Sequence, residues 1–193
     1  MKIIYGLTRS GNNFLSLCLS KFFGEQVGHS HTKSYINILI NKNNNLVFAI
    51  IRDPSDLILS EIYMQYTSND NYIQDEKIKG LIKNHSKIIE RYFDFILKYK
   101  DYVHICGFDS FTKDLSLFLF NLQKYIDGDM PDIIWANNPM SNIDIYQIKD
   151  RLPREYDMEV RNKIKELIKE NSNYLNFAYE KYYKLKDLES KQS

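Results

Sequence analysis

The chain has 193 residues, 26 Lys and Arg against 25 Asp and Glu, and a formal net charge of +1 at pH 7. That balance speaks against a general nucleic-acid binder, which carries a marked basic excess, yet leaves room for a local basic pocket around one anion. With 44% of its residues hydrophobic, the chain can bury a real core, and its length is that of one domain.

Residues 2–6 read as a short buried strand running into Gly6. Residues 12–23 place Phe14, Leu15, Cys18, Leu19 and Phe22 at helical spacing, and Gly24 ends that helix. Residues 46–51, Leu-Val-Phe-Ala-Ile-Ile, form a continuous apolar run, the pattern of a strand buried on both faces of a parallel sheet. Asp53 and Pro54 then open a helix, Asp53 as N-cap and Pro54 at the first helical position. A loop is expected over 67–77, a helix over 78–99, a strand over 102–106 and a helix over 111–126. Residues 127–155 hold three of the four prolines and the sole Trp and read as an irregular excursion. One long helix is expected over 157–184. The whole reads as a single domain over 1–186 with a frayed tail over 187–193. Strands alternating with helices predict an α/β domain, a three-layer sandwich with a central, mostly parallel sheet. Ligands in such domains sit beyond the carboxyl ends of the strands.

Cys18 and Cys106 each lie in an apolar run and read as buried free thiols, with no disulfide or zinc pattern. No segment reaches the length of a membrane span and no signal peptide is visible, so a cytoplasmic setting without a membrane partner is expected. No signal for oligomeric state is present.

The segment from Gly6 to Asn13, Gly-Leu-Thr-Arg-Ser-Gly-Asn-Asn, follows a strand and opens a helix. Gly6 and Gly11 fit the first half of G-x-x-x-x-G-K-[ST], but Asn12 and Asn13 stand where Lys and Ser/Thr belong. The loop therefore reads as P-loop NTPase-like without the lysine that reaches the phosphates or the hydroxyl that holds Mg²⁺. Backbone N–H groups at a helix N-terminus still favour an anion, and Arg9 adds a fixed cation. A tight turn with a solvated arginine is the plainer alternative for this segment alone. The second segment starts with Arg52, where the strand 46–51 ends. Ser60 lies about two helical turns further on. Both can reach one phosphate. A capped helix explains Asp53 and Pro54 but not Arg52 and Ser60.

Together these segments resemble the two motifs with which sulfotransferases bind 3′-phosphoadenosine 5′-phosphosulfate (PAPS). In the first, a basic residue, Ser and Gly precede two small polar residues and an aromatic, here Arg9, Ser10, Gly11, Asn12, Asn13 and Phe14. In the second, Arg52, Pro54, Asp56 and Ser60 are in register. A softer likeness joins Cys106–Asp114 to the Tyr-Glu-Asp-Leu turn of that family. The resemblance covers residues 2–126. It implies a sulfotransferase that draws on PAPS, releases PAP (the desulfated product) and needs no metal. The acceptor would be a hydroxyl or amine of a small molecule, a carbohydrate or another substrate. It implies that Thr8, Arg9, Ser10, Gly11, Asn12 and Asn13 hold the 5′-phosphosulfate, with Arg9 stabilising charge on the bridging oxygen. Phe14 would pack on the adenine, and Arg52 and Ser60 would hold the 3′-phosphate.

The sequence departs from the family at three places. Asn replaces Ser or Thr at 12 and 13, though an amide can donate as a hydroxyl does. Arg replaces Lys at 9 and is a poorer proton donor. The glycine-rich basic segment is missing, and Arg151 and Arg154 are either its stand-ins or surface charges. By the resemblance the catalytic base lies between the motifs, with His31 first and His29 second. The two are expected to diverge so that one alone faces the site. His85 and His104 read as structural. Two alternatives stay open: a nucleotide-binding module that works without Mg²⁺ and without turnover, and a degenerate P-loop kinase. Acceptor contacts are expected from residues 67–80 and 127–155, and Tyr63, Tyr66, Tyr72 and Trp135 form either a stacking surface or ordinary packing.

Overall fold

The computed structural model describes residues 1–40, 45–68, 74–126, 128–139 and 158–192. Four strands, β1 (Lys2–Tyr5), β2 (Gly28–Ser30), β3 (Leu46–Ile51) and β4 (Val103–Gly107), form one sheet in the order β2-β1-β3-β4. All three pairings are parallel, with Ile4 opposite Phe48 and Ile50 opposite Cys106. Successive side chains along a strand alternate between faces. Ile3, Tyr5, Val47, Ala49, Ile51, Val103 and Ile105 therefore enter one core, and Ile4, Phe48, Ile50 and Cys106 enter the other. Both faces are covered, which is why these strands read as unbroken apolar runs.

The second core is closed by α1 (Asn12–Phe23), α5 (Phe108–Lys113) and α6 (Leu115–Phe120), through Leu15, Leu19, Phe111 and Leu119. The first is closed by α2 (Lys33–Ile40), α3 (Pro54–Ser68), α4 (Asp75–Lys98), α7 (Met158–Glu170) and α8 (Asn176–Gln192). In α4, buried Ile78, Ile82, Ile89, Phe93 and Ile96 recur at helical spacing, and acidic Asp75 and Glu76 open the helix while Lys98 closes it. Each fully buried Ile or Phe contributes about 1.5–3 kcal/mol relative to exposure.

The chain steps from β1 out to β2, then returns across β1 to β3. Reversing direction while keeping one crossover hand demands helices on opposite faces, and α1 and α2 do lie in different cores. The reversal falls between the carboxyl ends of β1 and β3, the place where such sheets take ligands. Beneath it the buried Tyr92 hydroxyl lies against the carbonyls of Tyr5 and Ile50.

Several expectations need correction. The helix expected over 157–184 is two helices. The first ends at Glu170, where Asn171 donates to the Leu167 carbonyl from its side-chain amide at 2.8 Å and from its backbone N–H at 3.1 Å, before a 3₁₀ turn at Ser172–Leu175. The tail expected to fray is helical through Gln192, whose amide is tied to β4: Ile105 N donates to Oε1 at 2.8 Å and Nε2 donates to Val103 O at 3.2 Å. The helix expected over 111–126 begins at Phe108 and is cut at Asp114, whose carboxylate accepts from Leu117 N and so caps a new helix. The loop expected over 67–77 is shorter, since α3 runs to Ser68 and α4 starts at Asp75. Tyr72, Arg151 and Arg154 lie outside the described residues, as does most of the excursion over 127–155.

Cys18 and Cys106 are buried and free. Among the described residues no helix is long and apolar enough to cross a membrane.

Candidate functional site

The turn from β1 into α1 is braced from within. The Leu7 carbonyl accepts from Ser10 Oγ at 2.6 Å, from Asn12 Nδ2 at 2.7 Å and from Ser10 N at 3.3 Å. Ser10 and Asn12, 1% and 6% exposed, are thus turned into the loop rather than out of it. A Cβ on Gly6 would lie 2.0 Å from Asn12 Oδ1, so only glycine fits there. The same Oδ1 is buried without a hydrogen-bond partner. Gly11 is left-handed at φ 87 and precedes α1, which has no side-chain cap. Arg9 is left-handed too, at φ 63. In a residue with a Cβ that conformation costs on the order of 1 kcal/mol. Thr8 is exposed and donates to Glu61 Oε2 at 3.0 Å. Asn13 and Phe14 are half-buried in the first turn of α1, and the Phe14 ring is stacked with Phe111 at 6.3 Å between centroids.

Arg52 leaves the end of β3 beside this loop. Its Nη1 donates to the Arg9 carbonyl at 2.7 Å, and its guanidinium carbon lies 4.1 Å from the centroid of the Phe108 ring. Arg9 Nε donates to Ser60 Oγ at 3.4 Å. Arg9, Arg52 and Ser60 thus come together, although Ser60 is engaged by Arg9 rather than Arg52. Asp53 is the cap its sequence position suggests. Its Oδ1 accepts from Ser55 N at 2.9 Å and from Asp56 N at 3.3 Å.

His31 follows β2 and reaches the same loop from the other side, its Nδ1 bonded to the Gly6 carbonyl. A carbonyl only accepts, so Nδ1 carries a proton, and in its neutral form a ring held this way has its lone pair at Nε2. His31 is exposed. The expected divergence of the two histidines is not found: their ring centroids are 5.6 Å apart. The reason is the period of two along an extended chain, which puts residues i and i+2 on one side.

Comparison with protein-family models, curated proteins and solved structures returned no match.

The loop amides at the start of α1, two guanidinium groups and a hydroxyl form a donor set suited to an anion. Among the described residues no group of three or more His, Cys, Asp or Glu is placed to hold a metal ion. Three contacts escaped the sequence reading. Glu61 directly follows Ser60 and touches Thr8. Phe108 begins α5 and packs on Arg52. Glu189, 7% exposed on α8, accepts from Gly107 N and Ser110 Oγ, each at 2.6 Å, and so fixes the turn from which Phe108 emerges. The sequence around Phe108, Gly-Phe-Asp-Ser, gave no sign of an arginine partner, and nothing in sequence joins Glu189 to Gly107.

His85 lies in α4, where Gln65 Nε2 stands 3.5 Å from its Nε2 and also donates to Glu61 at 3.4 Å; His104 lies in β4, beside the Tyr125 hydroxyl at 3.1 Å. Burial is the main cause holding His104 down to about 4, with Lys124 adding to it and Glu189 opposing.

Proposed function

We propose that the chain is a sulfotransferase with a P-loop-like site, moving the sulfuryl group of PAPS to a hydroxyl or amine. One observation carries the reading. Arg9, Arg52 and Ser60, taken from two motifs at the ends of β1 and β3, meet at the carboxyl edge where the sheet reverses direction. The resemblance of those motifs to the PAPS-binding segments of sulfotransferases gives the anion its identity.

In this reading the acceptor oxygen or nitrogen forms a bond to sulfur while the bond from sulfur to the bridging phosphate oxygen breaks, and PAP leaves with that electron pair. Arg9 stabilises the charge that grows on the bridging oxygen. His31 Nε2 takes the acceptor's proton, with Nδ1 anchored on the Gly6 carbonyl to orient the ring. Arg52 and Ser60 meet the 3′-phosphate, the group that separates PAPS from ATP. Positioning and electrostatics carry the transfer, as they do in phosphoryl transfer, and no metal ion is part of this scheme.

A second reading, a nucleotide-binding module without turnover, draws support from Asn12. Its amide is spent on the Leu7 carbonyl instead of reaching outward. One experiment addresses both. Titration with PAP and with AMP, without Mg²⁺, is expected to show PAP favoured by about 2–4 kcal/mol through the charged contacts of its 3′-phosphate. Arg52→Ala is expected to erase that preference. Equal affinity of the wild type for PAP and AMP defeats the sulfotransferase reading. PAP binding without any hydrolysis of PAPS or transfer from it selects the module.

A further inference from the structure

We infer that Phe108 is a positioning residue for the loop between β1 and α1, acting through Arg52. Arg9 is the one non-glycine residue with positive φ among those described. Its side chain does not favour that conformation, so the surroundings must hold it. Its carbonyl is held by Arg52 Nη1 at 2.7 Å, and Arg52 lies on the Phe108 ring at 4.1 Å. A long arginine side chain packed on an aromatic face has already given up much of its rotamer freedom. The donor that captures Arg9 is therefore pre-set.

Phe108 touches the loop a second time. A Cβ on Gly11 would lie 3.0 Å from Phe108 Cε2, so the ring fills the space beside the loop's other left-handed residue. The ring itself is fixed. It meets Phe111 edge-on at 5.5 Å between centroids, and Gly107 N, just before it, is bound to Glu189 Oε1 at 2.6 Å. One aromatic ring thus governs both left-handed positions, Gly11 by contact and Arg9 through Arg52. The loop amides are set in place before an anion arrives, which lowers the ordering cost of binding. That last consequence rests on the nucleotide reading above, whereas the conformational claim does not.

The test reads the loop directly, in the full chain without ligand. Amide hydrogen exchange over residues 7–12 is expected to accelerate about tenfold or more in Phe108→Leu, with β3 unchanged. Phe108→Tyr, which keeps the ring, is expected to restore wild-type exchange. Loop exchange that is the same in Phe108→Leu and wild type overturns the proposal. If Phe108→Leu loosens β3 as well, Arg52→Lys decides on the same readout, because lysine keeps the charge and loses the flat fork. Unchanged loop exchange in that variant overturns the proposal. A second readout uses PAP and AMP. Phe108→Leu is expected to weaken AMP, which meets the loop and has no 3′-phosphate, on the order of tenfold, and PAP by at least as much, because Arg52 also meets the 3′-phosphate in that reading. A loss confined to PAP overturns the proposal, since unchanged AMP affinity leaves the loop's hold on the 5′ group untouched. A wild type that binds neither nucleotide ends the sulfotransferase reading and leaves the exchange comparison to decide this one.

Discussion

Two helices begin at the carboxyl edge of the sheet, and their first turns are finished in different ways. At α3 the chain supplies its own anion: Asp53 accepts from Ser55 N, Ser55 Oγ and Asp56 N, and from the Tyr179 hydroxyl at 3.1 Å. At α1 the N-cap is Gly11, no side chain caps the helix, and the preceding residues include a left-handed arginine. The first N–H groups of any helix lack intrahelical partners. The first of these ends is closed for stability. The second keeps strain and donors together, as sites for external anions do.

The largest effects should come from groups around the uncapped end. His31→Ala is expected to lower sulfuryl transfer about 10²–10⁴-fold while PAP binding stays nearly intact, and His29→Ala to do much less. Single-turnover rates with PAPS, or slow PAPS hydrolysis with water as acceptor, measure this. A dead His29→Ala beside an active His31→Ala would shift the base to the other ring. Next, Arg9→Ala should lower turnover about 10²–10³-fold, with PAP affinity falling less because the loop amides remain. Equal losses in turnover and binding would make Arg9 a plain anchor.

A third experiment separates the scaffold from the site through pH. His104 is pushed from 6.5 down to about 4, so between those values the unfolded chain binds a proton that the folded protein refuses. Stability from this group is present above about pH 6.5 and is lost as pH falls toward about 4, by about 3 kcal/mol in all. Urea midpoints taken across that window should fall more steeply in the wild type than in His104→Gln. Parallel curves would show that His104 is not the cause. The smallest effect belongs to the closed end. Asp53→Ala should cost about 1 kcal/mol of stability and leave PAP affinity as it was. A clear loss of PAP affinity there would erase the distinction between the two helix ends.

The parts legible in sequence were those whose residues are decided by near neighbours or by burial on both faces. The runs ending at Tyr5, Ile51 and Gly107 could be read because every residue in them after the opening Lys2 and Leu46 is buried. The three-residue β2, Gly-His-Ser, is an edge strand with exposed residues and carries no such run. The break at Asp114 was missed because it rests on one side chain taking a backbone N–H, while the apolar spacing continues across it. In the site, the spacing of Arg52 and Ser60 and the glycines at 6 and 11 could be read, but not who pairs with whom. That depends on Arg9 being left-handed and on Phe108 following β4, the strand paired with β3. Asn12 illustrates the same gap. Its type suggests an outward donor, and only the fold shows that Leu7 takes it.

The contact between Gln192 and β4 has a consequence for assembly. Among the described residues β4 lies at the margin of the sheet, where an unpaired strand invites another chain to add to it. The carboxamide of Gln192 accepts from Ile105 N and donates to Val103 O, as the peptide group of a neighbouring strand would. Glu189 occupies the next outward N–H, at Gly107. The last turns of α8 therefore act as a one-sided counterfeit strand. While they are seated, neither a peptide nor a second copy of the chain can extend the sheet on this side, and anything that lifts them turns a closed margin into a template for aggregation.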